Sequence, residues 1–194
     1  MIEEIVYQSE FYGHAFKDEK IWHAGVASRR GLCACSFAYT SVTVLKKTLA
    51  DRLKGREGKV KWVKDLKEID NEDARYILER FQKELNQYFL GKLKRFTLPI
   101  EIGCGDEFDR KVWSRLEQIP YGQTVSYKFI AEKIGDPKAV RRVGRACGNN
   151  PLPIIIPCHR VTESHGKLGG FTGGVAKKRM LLKLESAKTE GRTS

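Results

Sequence analysis

The chain has 194 residues, 41% hydrophobic and 31% charged, enough for one compact domain or two small ones and against wholesale disorder. Its 36 Lys+Arg against 24 Asp+Glu give a formal net charge of +12, which favours DNA or RNA as a partner ahead of a membrane surface, although a basic surface kept for solubility explains the charge equally well. No apolar run reaches the roughly 18 residues of a membrane helix, and the acidic start MIEEIVYQSE lacks the basic region of a signal peptide, so a soluble, non-secreted protein is expected.

The first hundred residues alternate extended and helical signals. IVYQSEF, IWHAGVAS and LCACSFAY are rich in β-branched and aromatic residues and read as strands, with another at 59–63. Residues 41–53 suit a short helix with Val44, Leu45, Leu49 and Leu53 on one face. Residues 71–89 form the clearest helix, with Ala74, Ile77, Leu78, Phe81, Leu85 and Phe89 at helical spacing. LKRFTLPIEIGCG reads as a connector, which places a boundary near residue 100. Nothing before it carries recognisable chemistry. Five cysteines, Cys33, Cys35, Cys104, Cys147 and Cys158, make an odd count and suggest reduced thiols. Cys33 and Cys35 have no second pair to complete a zinc site and are read as small hydrophobes.

A new pattern opens at Asp106, a helix cap, followed by an apolar stripe of Phe108, Val112, Trp113, Leu116 and Ile119. Ser126 caps a helix over 127–134 that Gly135 stops. Asp136 then caps a second helix, 137–147, with Pro137 at its first position. At about 100° per residue, Lys138, Arg141, Arg142 and Arg145 share one side of this helix and Ala139, Val140, Val143, Ala146 and Cys147 the other. Two short helices joined by a tight turn, the second cationic outside, fit a helix-turn-helix that meets a DNA backbone. Gly144, unfavourable in a helix interior, marks a close approach to a partner or another helix.

Beyond Gly148 the chain reads NNPLPIIIPCHRV. Three prolines hold this segment extended. Ile154, Ile155 and Ile156 are expected to be buried, with Cys158 at the end of an apolar strut. His159 and Arg160 beside it favour a thiolate. Adjacent residues of an extended chain point opposite ways, so either the backbone turns here or a water carries a proton from Cys158 to His159. The imidazole needs a third group to orient it, and Glu185, at the end of the helix VAKKRMLLKLE, is the candidate. The last eight residues, 187–194, read as a loose polar tail.

PCHRV, preceded by GNNPLPIII and followed by GGFTGG and LLKLE, resembles the methylated-DNA–protein-cysteine methyltransferases (O6-alkylguanine-DNA alkyltransferases). The match runs in register from about Phe108 to Glu185 and includes IPYGQTVSY and the helix from Pro137 to Cys147. The resemblance implies that Cys158 attacks the alkyl carbon of a guanine flipped out of the duplex. His159 would take the thiol proton through a water, and Glu185 would orient His159. Tyr127 would give a proton to guanine N3. Arg141 would enter the stack in place of the base, where a flat guanidinium can stack. Asn150 would brace the turn before the cysteine, backbone carbonyls of Cys158 and Val161 would read the guanine amine, and Thr172 would lie near O6. Ser126, Arg142 and Arg145 are further DNA-contact candidates, and Arg160 is expected in a structural ion pair. The helix would lie in the minor groove with little sequence readout.

A thioether is a very poor leaving group, so the resemblance implies a single-turnover acceptor without cofactor or metal. It also implies an α/β, RNase H-like N-terminal domain (1–100), a mostly helical, winged helix-turn-helix-like domain that binds DNA and accepts the alkyl group (101–186), and a flexible tail (187–194). The expected partner is double-stranded DNA carrying alkylated guanine, and the expected state is a monomer without a membrane partner. The compartment would be a prokaryotic cytoplasm, or the nucleus in a eukaryote. Phe171 stands where many relatives have tyrosine, and Gly173 and Gly174 where some carry tryptophan, so a pocket open to benzyl as well as methyl adducts is expected. The competing readings are a damage sensor, against which Cys158 itself speaks, and a cysteine hydrolase, which a basic helix beside the site does not serve.

Overall fold

In the computed structural model the described residues are 4–12, 20–38, 42–52, 60–63, 65–164 and 166–186. They divide into two compact units, Met1–Cys104 and Gly105–Ser194, and together make a mixed α/β protein with six α-helices among the described residues. None of these helices is long and apolar enough to cross a membrane. The polar tail at 187–194 lies outside the described residues, as do Leu53 and Lys59.

The first unit is built on one sheet of four strands, β1 (Glu4–Tyr12), β2 (Lys20–Ala27), β3 (Leu32–Ala38) and β4 (Val60–Val63), in the order β3-β2-β1-β4. β1, β2 and β3 are antiparallel neighbours, and β4 runs parallel to β1. Side chains alternate across a strand, and β2 uses both faces. Ala24 and Val26 join Cys33, Ala34, Leu45 and Leu49 in a buried cluster that fixes helix α1 (Val42–Arg52). His23 faces the other way, edge-on to Phe81 of helix α2 (Glu72–Phe89). Both Cys33 and Cys35 are fully buried. Among the described residues no group of three or more His, Cys, Asp or Glu side chains could hold a metal ion.

One expectation for this unit needs correction. Val44 does not share the buried face of α1 and is 48% exposed. It precedes Leu45 by one residue, about 100° around the helix, whereas Leu45 and Leu49 are separated by four and stack. The connector segment runs along β3, with Leu32 N donating to Pro99 O at 2.9 Å and Glu101 N to Leu32 O at 2.9 Å. Helix α2 matches its stripe, capped by the Asn71 side chain on Ala74 N. It also buries Glu84, whose carboxylate receives Arg80, the Thr97 hydroxyl and the Thr97 and Leu98 amides.

In the second unit Asp106 caps helix α3 (Glu107–Leu116), its carboxylate receiving Asp109 N at 2.7 Å. Of the expected stripe Val112, Trp113, Leu116 and Ile119 are buried and Phe108 is half-buried, and Ile119 lies past the helix end. Strand β5 (Val125–Ser126) runs parallel to β6 (Val161–Thr162). From β5 the chain enters helix α4 (Tyr127–Lys133), capped by Ser126 on Phe129 N. Gly135, at φ +82°, ends it because a side chain there would be strained. Helices α5 (Val140–Gly148) and α6 (Val175–Ser186) complete the unit.

Helix α5 starts three residues later than expected. Asp136 and Pro137 open a turn, closed by Ala139 N on Asp136 O at 3.0 Å, and the helix begins at Val140. Asp followed by Pro suits the first two positions of a type I turn as well as a helix start. The wheel itself holds: Val143, Ala146 and Cys147 are buried while Arg141, Arg142 and Arg145 are exposed. Trp113 locks the buried face by donating Nε1–H to Ala146 O at 2.8 Å.

Candidate active site

Asn150 and the turn after it aim the segment that follows α5. The Asn150 side chain donates to Ile156 O at 2.8 Å and accepts from Leu152 N at 2.9 Å, and Ile156 N closes on Leu152 O at 2.8 Å. Inside this bracket Ile154 takes φ +75°, a left-handed conformation that costs a β-branched residue on the order of 1–3 kcal/mol and persists only where surroundings impose it. The chain is therefore looped here, not a straight strut. Ile154 and Ile156 are buried as expected, but Ile155 is half-buried.

The backbone turns again at Pro157 (φ −81°, ψ 60°), where Cys158 N donates to Ile156 O at 2.8 Å. This is an inverse γ-turn centred on the proline, and it leads into one turn of 3₁₀ helix, Cys158–Arg160. The backbone thus turns at this point, as one of the two alternatives required. Cys158, His159 and Arg160 are all buried.

The turn sends His159 and Arg160 to one carboxylate. His159 Nε2 lies 2.8 Å from Glu185 Oε1. Arg160 Nε and Nη2 donate to Glu185 Oε2 and Oε1, both at 2.9 Å, and Nη1 donates to Ile119 O at 2.6 Å. Gly122 N adds a fourth group at 3.1 Å. Burial alone would raise the Glu185 carboxyl, but the hydrogen bonds from His159 and Arg160 outweigh it and hold it down at about 2. Burial lowers the His159 imidazole from its ordinary value against the pull of Glu185, which leaves it neutral. Glu185 accepts at Nε2, so the proton resides there and Nδ1 carries the lone pair. That Nδ1 is buried and has no hydrogen-bond partner among the described residues. The arrangement makes His159 a base held in one tautomer.

Cys158 opens on a cavity of about 350 Å³, lined also by Tyr127, Val140, Gly144, Cys147, Glu163 and Thr172. Gly144 belongs to its wall, and a Cβ there would meet nothing within 4 Å. The close approach to another helix expected at this glycine is not seen, because the position faces the cavity. The Tyr127 hydroxyl donates to Gly170 O at 3.3 Å. Burial, with the charges of Cys147, Cys158 and Glu163, pushes its phenol up to about 12, so it stays a proton donor at neutral pH. The Thr172 hydroxyl donates to Gly148 O at 3.1 Å and tethers the loop to the end of α5. Phe171 also lines the cavity, whereas Gly173 lies against the Phe171 ring.

The cationic candidates divide. Arg142 is ion-paired with Asp106 at 3.0 Å and lies 4.0 Å over the Phe108 ring. Arg141 and Arg145 are exposed and make no side-chain hydrogen bond or ion pair among the described residues. Ser126 spends its hydroxyl on the cap of α4. The Val161 carbonyl is engaged too, by a group the sequence did not flag.

That group is Lys178. It is fully buried, donates from Nζ to Val161 O at 2.5 Å and Gly170 O at 3.4 Å, and lies 5.6 Å from the Tyr127 ring centroid. Burial draws its ammonium below the usual range, opposed by Cys158, Cys147 and Glu163. In sequence it is one of two adjacent lysines, and no acidic partner at i±4 distinguishes either of them. Cys147 was read simply as part of the packed helix face. It proves to be a second thiol on the cavity wall, its pKa driven up by burial and by Cys158.

Residues 107–187 match the family description "6-O-methylguanine DNA methyltransferase, DNA binding domain". A methylated-DNA–protein-cysteine methyltransferase from Methanosarcina acetivorans is 44% identical over 132 residues, covering 66% of this chain and 84% of the relative. The protein of that name from Mycobacterium bovis is 49% identical over 105 residues, 54% of this chain and 63% of the relative, so the alignment spans less than two thirds of that protein's length. A crystal structure of Mycobacterium tuberculosis OGT in complex with DNA superposes with a TM-score of 0.71 at 28% identity, covering 95% of this chain and 94% of that one. With the buried cysteine, the oriented histidine and the cationic helix all inside the matched region, the chain belongs to the methylated-DNA–protein-cysteine methyltransferase family.

Proposed function

We propose that this protein repairs DNA by taking the alkyl group of an O6-alkylguanine onto Cys158, once and irreversibly. The observation that carries the reading is the set Cys158, His159, Glu185: a thiol on the wall of a cavity, backed by an imidazole whose Nε2 is fixed on a carboxylate at 2.8 Å. A hydrolase would need the same pair, but the exposed Arg141 and Arg145 on the helix lining this cavity favour a polyanion.

In this reading α4 and α5 are the helix-turn-helix of a winged DNA-binding domain, and the first unit is an RNase H-like scaffold. Arg141 fills the place of the flipped base, with Arg145 on the phosphates. Arg142, tied to Asp106, would have to leave that carboxylate to reach DNA. His159 Nδ1 takes the thiol proton through a water. The sulfur then attacks the alkyl carbon; the S–C bond forms as the C–O6 bond breaks, and the electron pair leaves with the base. Tyr127 protonates N3 of that base, and the thiol proton held by His159 restores the phenol. The DNA supplies the alkyl group and the protein the acceptor, so the transfer needs no cofactor. A cavity of about 350 Å³ bounded by Gly144, Gly148 and Gly170 also has room for a benzyl adduct.

Incubation with a duplex oligonucleotide containing O6-methylguanine tests this by intact mass. The expected result is a gain of one methylene unit by the wild-type chain and none by Cys158→Ala. Tight binding without a gain would make the protein a damage sensor and overturn the proposal.

A further inference from the structure

Cys147 is a second thiol that the proposed transfer does not use. It lines the same cavity of about 350 Å³ as Cys158, and the residues on either side of it are pinned. Trp113 Nε1 donates to Ala146 O at 2.8 Å, the Thr172 hydroxyl to Gly148 O at 3.1 Å, and Asn149 Nδ2 to Asp109 Oδ2 at 3.2 Å. Cys158 is held independently, by the turn at Pro157 and the Asn150 bracket. Two soft nucleophiles thus face one space from two separately anchored segments. Charge on Cys158 is felt at Cys147, and both thiols are felt at Tyr127 and Lys178.

Burial and the facing Cys158 hold the Cys147 thiol well above its ordinary range, while the Lys178 ammonium pulls the other way. Before transfer, Cys147 is therefore protonated and competes poorly for the first alkyl group, because the thiolate is the nucleophile. Alkylation changes that balance. A thioether carries no charge, so one of the causes that keep Cys147 protonated disappears once Cys158 has reacted.

We infer that the cavity also accepts guanine adducts with two electrophilic carbons, of the 2-haloethyl class, and closes them into a dithioether bridge between Cys158 and Cys147. The inference rests on the proposed function, which makes the first bond: Cys158 sulfur attacks the carbon bonded to O6, and the C–O6 electron pair leaves with the base. The product is a 2-haloethyl thioether. Its sulfur expels the halide and closes a three-membered sulfonium ring. Cys147 sulfur then attacks a ring carbon, and the bond from that carbon to the sulfonium returns its electron pair to the Cys158 sulfur. Each cysteine ends with one new S–C bond, the halide leaves as the anion, and the Cys147 proton goes to solvent. No oxidant or reductant is needed. Water competes for the ring, but a thiol fixed on the same wall reacts with the advantage of proximity. Cys147 thereby removes the second electrophilic carbon before it reaches the DNA. A methyl group has no second leaving group, so methyl transfer leaves Cys147 untouched.

A duplex oligonucleotide containing O6-(2-chloroethyl)guanine, used as soon as it is prepared, decides it, with an O6-ethylguanine duplex as the adduct without a second leaving group. Intact mass and titration of free thiols in denaturant are read on the same reaction. With the chloroethyl duplex the wild-type chain gains two carbons but neither oxygen nor chlorine, and loses two titratable thiols. With the ethyl duplex it loses one. Tandem mass spectrometry of the wild-type product places the bridge between Cys147 and Cys158. Cys147→Ala loses one thiol with the chloroethyl duplex and ends as the hydroxyethyl thioether of Cys158. A wild-type chain that ends as that hydroxyethyl thioether, keeps the chlorine or is joined to the oligonucleotide overturns the inference and leaves alkyl transfer to Cys158 standing. A wild-type chain that takes an alkyl group from neither duplex overturns the proposed function and this inference with it.

Discussion

His159 Nε2 and Glu185 Oε1 lie 2.8 Å apart in a fully buried contact, and the same carboxylate accepts two bonds from Arg160 and one from Gly122 N. Four donors thus converge on one side chain of α6 and tie it to the cysteine turn. The carboxylate serves two ends at once: it fixes the tautomer of the base and it holds the reactive turn to the body of the unit.

Glu185→Gln separates these ends poorly, and its effects should be large on both. An amide cannot accept all four donors and leaves the Arg160 guanidinium buried without its counter-charge, which costs on the order of 3–5 kcal/mol. A drop in melting temperature should accompany a fall of about a hundredfold or more in methyl transfer. Thermal denaturation and single-turnover kinetics on the same preparation check this.

Acid should destabilise both units, for the same reason in opposite residue types. The Glu185 carboxyl is depressed to about 2 from an ordinary 4.5, so its contribution is complete above pH 4.5 and is lost as pH falls from there towards 2. His23, buried with neither ring nitrogen hydrogen-bonded, is lowered by burial from 6.5 to about 4. The unfolded chain therefore takes up that proton first, and stability falls as pH drops from 6.5 to 4. His23→Leu should raise the melting temperature and flatten the pH dependence in that window. Thermal melts at pH 7, 5.5 and 4.5 measure it.

Asn150→Ala removes a donor to Ile156 O, which keeps the Cys158 amide, and takes from the buried Leu152 N its side-chain acceptor. The expected cost is about 2–3 kcal/mol. The loop that imposes φ +75° on Ile154 loses its bracket, so transfer should slow as well. Denaturant unfolding gives the first quantity and stopped reactions the second.

Arg141→Ala should still bind DNA, because Arg145 and the other cations remain, but transfer from duplex should fall by about tenfold or more, since nothing fills the stack when the base leaves. Transfer from a single strand, where no stack must be opened, should be nearly unchanged. Equal duplex rates for variant and wild type would remove the finger role from Arg141.

What the sequence discloses follows from how local each cause is. The stripe of α2 and the two-sided wheel of α5 are periodic patterns within one helix, and both stand in the structure. The partnership of His159 with Glu185 spans 26 residues; the need for a third group made Glu185 a candidate, and the family pattern around PCHR and LLKLE singled it out. Lys178 stayed hidden because a lysine in an amphipathic helix belongs in solvent by default; its burial depends on two carbonyls brought from β6 and the loop before α6. The start of α5 was misplaced because Asp136-Pro137 suits a turn and a helix start alike. The loop at Ile154 could not be foreseen, since no residue preference puts isoleucine at positive φ. Only the Asn150 bracket does so.

Two thiols, Cys147 and Cys158, face the same cavity, and Cys158 alone is the proposed acceptor. The most direct test is peptide mapping by tandem mass spectrometry after reaction with one equivalent of O6-methylguanine duplex. The expected result is S-methylation of the peptide containing Cys158, with Cys147 unmodified. Methyl on Cys147, or on neither thiol while the DNA lesion disappears, would contradict it.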